Sequence, residues 1–80
     1  MEKKIAVVAI IVSDVSAVER INALLHDFGE HIIGRMGIPY REKALNVISV
    51  VMDAPQEDIN SLSGKLGMVK GVSSKVLTTK

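Results

Sequence analysis

Two nearly unbroken apolar segments limit the folds that this chain can adopt. Residues Ile5–Val12 consist only of Ile, Val and Ala, and residues Ala44–Met52 are interrupted only by Asn46 and Ser49. Short runs rich in β-branched residues are typical of strands buried on both faces of a sheet. A membrane-spanning helix needs about 20 apolar residues, so neither run is long enough to cross a bilayer. The sequence therefore predicts two central strands and no association with a membrane.

Each central strand leads into a helical pattern. After the first, apolar residues recur at intervals of three and four until Gly29, which suits a helix C-terminus; they are Val15, Val18, Ile21, Leu24, Leu25 and Phe28. Ser16 and Glu19 have the spacing of a capping box, whereas Ser13 or Asp14 would cap the helix one turn earlier. The second helix opens at Asp53-Ala54-Pro55, with proline in its first turn. Its apolar stripe is Ile59, Leu62 and Leu66, and Gly67 ends it.

The remaining two strands alternate in polarity. Alternation along His31–Ile38 predicts one face made of Ile32, Met36 and Ile38 and an opposite face made of His31, Ile33 and Arg35. Gly34 and Gly37 interrupt this strand, which predicts a β-bulge or a close backbone approach. Residues Val72–Thr78 form the last strand.

The resulting order, βαββαβ, predicts an α+β class, ferredoxin-like two-layer sandwich. Eighty residues fit one domain, comprising residues 1–80. Strands one and three are the most apolar and therefore belong in the centre of an antiparallel sheet with the order 4-1-3-2. Two helices can cover only one face of this sheet. The other face would expose either Ile5, Val7 and Ile11 or Val8, Ile10 and Val12.

So large an exposed apolar surface is rare on soluble monomers, which predicts that another copy covers it. We expect a homodimer or a dimer of dimers. An 80-residue domain is also marginally stable alone, and self-association would stabilise it.

The composition argues against several kinds of chemistry. The chain has no cysteine, no nucleotide-binding glycine motif and no serine in a nucleophile elbow. Its acidic residues fall at element ends, where caps and helix dipoles account for them. We therefore expect no enzymatic activity and no cofactor. His26 and His31 flank a turn close to Asp27 and Glu30, so a metal-binding regulator is an alternative, although the usual ligand spacings are missing.

Nucleic-acid binding is not expected either. The net charge is +1, the basic residues are scattered, and the aromatic residues are Phe28 and Tyr40 alone. RNA-binding domains with this strand order stack bases on aromatic residues of strands one and three, and those strands have none here. Lys3-Lys4 followed by the apolar run Ile5–Val12 resembles the start of a signal peptide. We interpret the run as a buried strand, and the protein as cytoplasmic.

The segment from Gly34 to Lys43 is the most unusual part of the chain. It combines two glycines, a proline, the only tyrosine and three basic residues. One interpretation is a contact loop for an anion or a partner, in which Arg35, Tyr40 and Arg41 make the contacts. The other is an edge strand protected by its charges and followed by an ordinary turn. Ser13 and Asp14 are further candidates, since helix N-termini favour anions, although simple capping also explains them.

The Arg-Met-Gly-Ile-Pro-Tyr-Arg sequence within this segment resembles the iron-only hydrogenase system regulator family. The resemblance extends to Ala44–Met52, to Leu62-Ser-Gly-Lys-Leu-Gly67 and to Gly71-Val-Ser-Ser-Lys75. It implies an ACT-like or ferredoxin-like fold, similar to the C-terminal domain of nickel-responsive repressors. Those repressors bind nickel through histidines and a cysteine, and DNA through an additional N-terminal domain. This chain starts directly at strand one and has no cysteine, so we do not expect either property to carry over.

Taken with the resemblance, the sequence predicts a non-catalytic, homo-oligomeric regulatory module that binds a small molecule or a protein partner, linked to the iron-only hydrogenase system. The alternative is a purely structural assembly protein that acts through its sheet interface.

Overall fold

The computed structural model describes residues 2–79. Six main elements follow one another along the chain: β1 (Lys3–Val12), α1 (Val18–Asp27), β2 (Ile32–Tyr40), β3 (Leu45–Pro55), α2 (Gln56–Gly67) and β4 (Val72–Thr78). Single turns of 3-10 helix at Val15–Ala17, Gly29–His31 and Arg41–Lys43 precede α1, β2 and β3. The α+β class and the order βαββαβ are as the sequence predicts.

The sheet has four strands in the order β2-β3-β1-β4, with every neighbouring pair antiparallel. Read from the other edge, this is the order 4-1-3-2. In the register, Val8 lies between Val50 of β3 and Val76 of β4. The two most apolar strands therefore occupy the centre.

Both helices lie on one face of the sheet and form the core with it. Alternate residues of β1 (Ala6, Val8, Ile10 and Val12) are at most 1% exposed. Ile21 of α1 and Leu62 of α2 are fully buried against that face. The prediction that β1 is buried on both faces is wrong for the single chain, because the helices cover only one side. Ile5, Val7 and Ile11 on the other side are 39–45% exposed.

A β-bulge changes the pattern of β2. Ile32 pairs with Met52, but Gly34 pairs with Val51, so Ile33 has no partner in the ladder. Such an extra residue moves all later side chains to the opposite face. The predicted grouping of Ile32 with Met36 and Ile38 is therefore wrong. Ile32 lies on the helix side, while the other two lie on the open side, at 61% and 51% exposure.

The turn after β1 is fixed by two sets of hydrogen bonds. Asp14 accepts from the backbone and the hydroxyl of Ser16 at 3.0 and 2.7 Å, and thus caps the turn before α1. The alternative capping box of Ser16 and Glu19 does not form, because α1 begins at Val18 with no side-chain cap. Ser13 donates from its backbone and its hydroxyl to the carbonyl of Gly71 at 2.8 and 3.1 Å. The turn between α2 and β4 is thereby joined to the end of β1.

Candidate functional site

A concavity lies at the end of the sheet where the β2–β3 connection meets the turn after β1. It has a volume of about 350 Å³ and is lined by Val15, Pro39, Tyr40, Arg41, Ala44, Leu45 and Asn46. The connection is compact because Ala44 adopts a left-handed conformation with φ of 53°, and its backbone donates to the Arg41 carbonyl at 3.1 Å. We call this site the hairpin concavity. Its volume lies at the lower end of the range for small-molecule sites.

Tyr40 and Arg41 supply most of the polar character of the hairpin concavity. The Tyr40 hydroxyl donates to Glu42 Oε2 at 3.2 Å, and the side chain is 43% exposed. Within residues 2–79, no carboxylate lies within salt-bridge distance of the Arg41 guanidinium. An unpaired guanidinium offers planar, charge-assisted hydrogen bonds to a carboxylate or a phosphate. Since most of the remaining lining is apolar, the site suits an anion with an apolar body.

Arg35 does not join these residues. It pairs with Val50, which is fully buried beneath the helices, and its Nη2 donates to Asn22 Oδ1 on α1 at 2.9 Å. The bulge in β2 is the cause, since it rotates Arg35 towards the helix layer. The structure thus brings Tyr40 and Arg41 together at the hairpin concavity and places Arg35 elsewhere.

Ser13 and Asp14 lie beside the hairpin concavity without lining it. Their side chains are engaged in the turn contacts with Gly71 and Ser16. The hydrogen bonds from the Ser16 hydroxyl and backbone lower the pKa of the Asp14 carboxyl, and Lys70 adds to this effect. Both side chains thus help to hold the turn in place.

Sequence reasoning missed Val15 and the start of β3 as lining residues. Val15 counts as part of the helix stripe by spacing, yet it lies in the 3-10 turn before α1 and is 76% exposed. An apolar residue directly after a capping aspartate was the available signal. No comparable signal marked Leu45 and Asn46, whose role depends on how the hairpin folds back.

The histidines do not assemble a metal site in the described chain. His31 Nε2 lies 3.6 Å from Glu30 Oε1 and 3.7 Å from Asp58 Oδ2. No group of three or more His, Cys, Asp or Glu residues suited to a metal ion occurs between residues 2 and 79. Over the same range, no helix is long and apolar enough to cross a membrane.

The face of the sheet opposite the helices is a second candidate surface, which we call the open face. Across its centre, one row of paired residues comprises Met36, Ser49, Ala9 and Lys75. Rows of branched aliphatic side chains flank it on either side: Val51, Val7 and Leu77, and Ile38, Val47 and Ile11. Leu77 is 74% exposed and Val47 39%. The open face is therefore predominantly apolar and uncovered in the single chain.

The structure thus defines the class of the protein. It is a two-layer α+β domain with an antiparallel sheet, one open apolar face and a concavity at a hairpin. The model of the TM1266-like family, described as iron-only hydrogenase system regulators, matches residues 4–76. The chain belongs to this family, which confirms the resemblance noted in the sequence. No protein of curated function matches the sequence significantly.

Solved structures extend the comparison. The uncharacterized protein TM1266 from Thermotoga maritima shares 38% sequence identity, covers 99% of this chain and 100% of its own, and superposes with a TM-score of 0.94. A PII-like nitrogen regulatory protein from Thiomonas intermedia K12, bound to ADP, AMP and bicarbonate, is 17% identical, with coverage of 96% and 91% and a TM-score of 0.55. A formyltetrahydrofolate deformylase from Pseudomonas putida KT2440 is 13% identical over 92% of this chain and 28% of its own, with a TM-score of 0.61. The last two likenesses concern the fold alone.

Proposed function

We propose that this protein is a non-catalytic, self-associating regulatory module of the iron-only hydrogenase system that binds a small organic anion in its hairpin concavity. The observation that carries the proposal is the unpaired Arg41 guanidinium in a site with a largely apolar lining. The regulatory role rests on membership of a family described as regulators.

The chemistry of the site defines the class of ligand. Arg41 would bind a carboxylate or a phosphate, and Val15, Pro39 and Leu45 would contact the apolar part of the molecule. The Tyr40 hydroxyl, already bonded to Glu42, has a lone pair and can accept a further hydrogen bond. The PII-like neighbour binds ADP, AMP and bicarbonate, so these are useful probes beside a branched aliphatic carboxylate such as 4-methylpentanoate.

Self-association is the second part of the proposal, and the open face supports it. Neighbouring strands of a sheet lie about 4.8 Å apart and rise about 3.3 Å per residue, so four strands of 7–11 residues present roughly 600 Å². Burying this area on two copies removes about 1,200 Å² from water, the lower end of the range for stable interfaces. The area lies at the upper end of the range for the largest apolar patch on a soluble monomer, about 300–600 Å².

Binding is tested by native mass spectrometry of gently purified protein, followed by calorimetric titration with the four probes. We expect a bound mass or a saturable probe. Arg41→Ala should weaken that binding about 10- to 100-fold, since a hydrogen bond to a charged group contributes about 1.5–3 kcal/mol.

Arg35→Ala is the matched control, because it removes the same side chain from the helix layer. It should leave the affinity unchanged. Equal losses in the two variants, or a clean protein that binds none of the probes, would contradict the ligand-binding proposal.

A purely structural assembly protein is the second candidate, and the open face favours it independently of any ligand. In that case, the oligomer forms with no bound mass, and Arg41→Ala has no effect on its stability or stoichiometry. Ligand-dependent stabilisation separates the two functions, because a ligand that binds only the folded state raises apparent stability by mass action.

A further inference from the structure

The open face carries a projecting side chain and a hollow at the same position along the strands. Met36, on edge strand β2, is 61% exposed. Between β1 and β4 lies a hollow of about 310 Å³, lined by Ala9, Ile11, Ser73, Ser74 and Lys75. Met36, Ala9 and Lys75 belong to the same row across the strands. The projection and the hollow therefore lie on opposite sides of the sheet midline, at the same position along the strands.

Two twofold arrangements can stack a pair of open faces centred on each other. In both, the twofold axis lies in the plane between the two sheets. If that axis is perpendicular to the strands, β2 of one copy lies over β2 of the other, and β4 lies over β4. An axis parallel to the strands exchanges the edges, so that β2 of one copy lies over β4 of the other.

These two arrangements differ in their fit. The first would bring Met36 against Met36 and Lys75 against Lys75, which places like charges together and leaves both hollows empty. The second brings each Met36 over the partner's hollow and packs it beside the aliphatic stem of Lys75. Long unbranched methionine side chains adapt well to such recesses, and lysine can keep its ammonium at the rim.

We infer that two copies of this chain pack open face to open face about a twofold axis parallel to the strands, with Met36 of each copy seated in the hollow between β1 and β4 of the other. This inference rests on the self-association in the proposed function and specifies its geometry. It also keeps both hairpin concavities at the rim of the interface, where they remain open.

Chemical cross-linking tests the geometry, and the absence of cysteine makes the chain a clean background. Facing sheets lie about 10 Å apart, which is too far for a direct disulfide, so a short bifunctional thiol reagent is required. Three variants are compared: Met36→Cys, Lys75→Cys and the double variant Met36→Cys/Lys75→Cys. Within one chain, these positions are three strand spacings apart, about 14 Å, beyond the reach of a short reagent.

The double variant should give a covalent dimer on denaturing gels, while each single variant stays largely monomeric. The matched control is Glu19→Cys/Ser61→Cys, which places two thiols on exposed positions of the helix layer and should give no dimer. Native mass spectrometry and circular dichroism of every variant, run before cross-linking, establish that each one folds and associates.

The other outcomes overturn the inference in distinguishable ways. Efficient cross-linking of Met36→Cys alone would place β2 over β2. No cross-linking by any variant, while native mass spectrometry still shows a dimer, would place the interface elsewhere and leave self-association standing. A monomer for the unmodified protein at micromolar concentration would remove both the geometry and the self-association, but would not affect ligand binding by Arg41.

Discussion

Gly71 should be the glycine least tolerant of substitution among those in the described chain. Its φ is 82°, and a Cβ added there would collide with the Cβ of Asp14. Its carbonyl also accepts both hydrogen bonds from Ser13. Gly71→Ala would therefore force the turn after β1 to move while straining the backbone that holds it.

The expected loss of stability follows from these contacts. A left-handed conformation costs an alanine about 1–2 kcal/mol. Weakening two hydrogen bonds, each contributing about 0.5–1.5 kcal/mol, brings the total to about 2–5 kcal/mol. For a domain of this size, such a loss lowers the melting temperature by roughly 10–30 °C.

Gly64→Ala is the matched control, because it makes the same chemical change in α2, where a new Cβ meets nothing within 4 Å. It should raise stability by about 0.5–1 kcal/mol, since glycine is unfavourable inside a helix. Urea unfolding followed by circular dichroism, at one protein concentration throughout, measures both variants. A Gly71→Ala variant as stable as the wild-type protein would refute the argument from the turn.

Three further predictions concern the left-handed residue Ala44, the core and the Asp14 carboxyl. Ala44→Gly should raise the free energy of unfolding by about 1 kcal/mol, because the left-handed φ of 53° suits glycine better than alanine; a lower urea midpoint would contradict this. Leu66→Ala should cost about 2–5 kcal/mol, since Leu66 is fully buried, whereas Val15→Ala at an exposed position should change stability by less than about 0.5 kcal/mol. Because its hydrogen bonds lower the pKa of Asp14 in the folded state, the stabilisation they provide is present above the ordinary carboxyl pKa and is lost as pH falls through the folded-state pKa. Carbon-detected NMR titration of the Asp14 carboxyl should show the lowered pKa, and Asp14→Asn should reduce the acid dependence of stability.

Most of the fold could be predicted because the pattern of apolar residues differs between strands and helices. The β-branched runs locate β1 and β3, and three- and four-residue spacing locates α1 and α2. The sequence could not show which face of the sheet the helices would cover. Val7 and Val8 are chemically identical, yet one is 39% exposed and the other 1%. Only the position of the helices distinguishes them, and that is a tertiary property.

The candidate site was predictable in part for a related reason. Tyr40 is the last paired residue of β2 and Arg41 follows it directly, so their placement near the hairpin follows from the chain order alone. Arg35 lies within the strand, and its direction depends on the number of residues between it and the start of the ladder. Glycine at position 34 indicated a bulge without fixing which residue would be left unpaired.

The extra residue in β2 has a consequence for how the strand can pair. Removing Ile33 would restore an unbroken ladder and keep every later pair, so Arg35 would still face the helices while Met36 and Ile38 would still face the open side. If Ile33 instead entered the ladder opposite Val51, each later residue would shift by one position, and the second half of the strand would exchange faces without a single substitution. A slip of one residue would thus abolish one surface of the protein and create a different one. The register of β2, as much as its composition, determines what the protein presents to a partner.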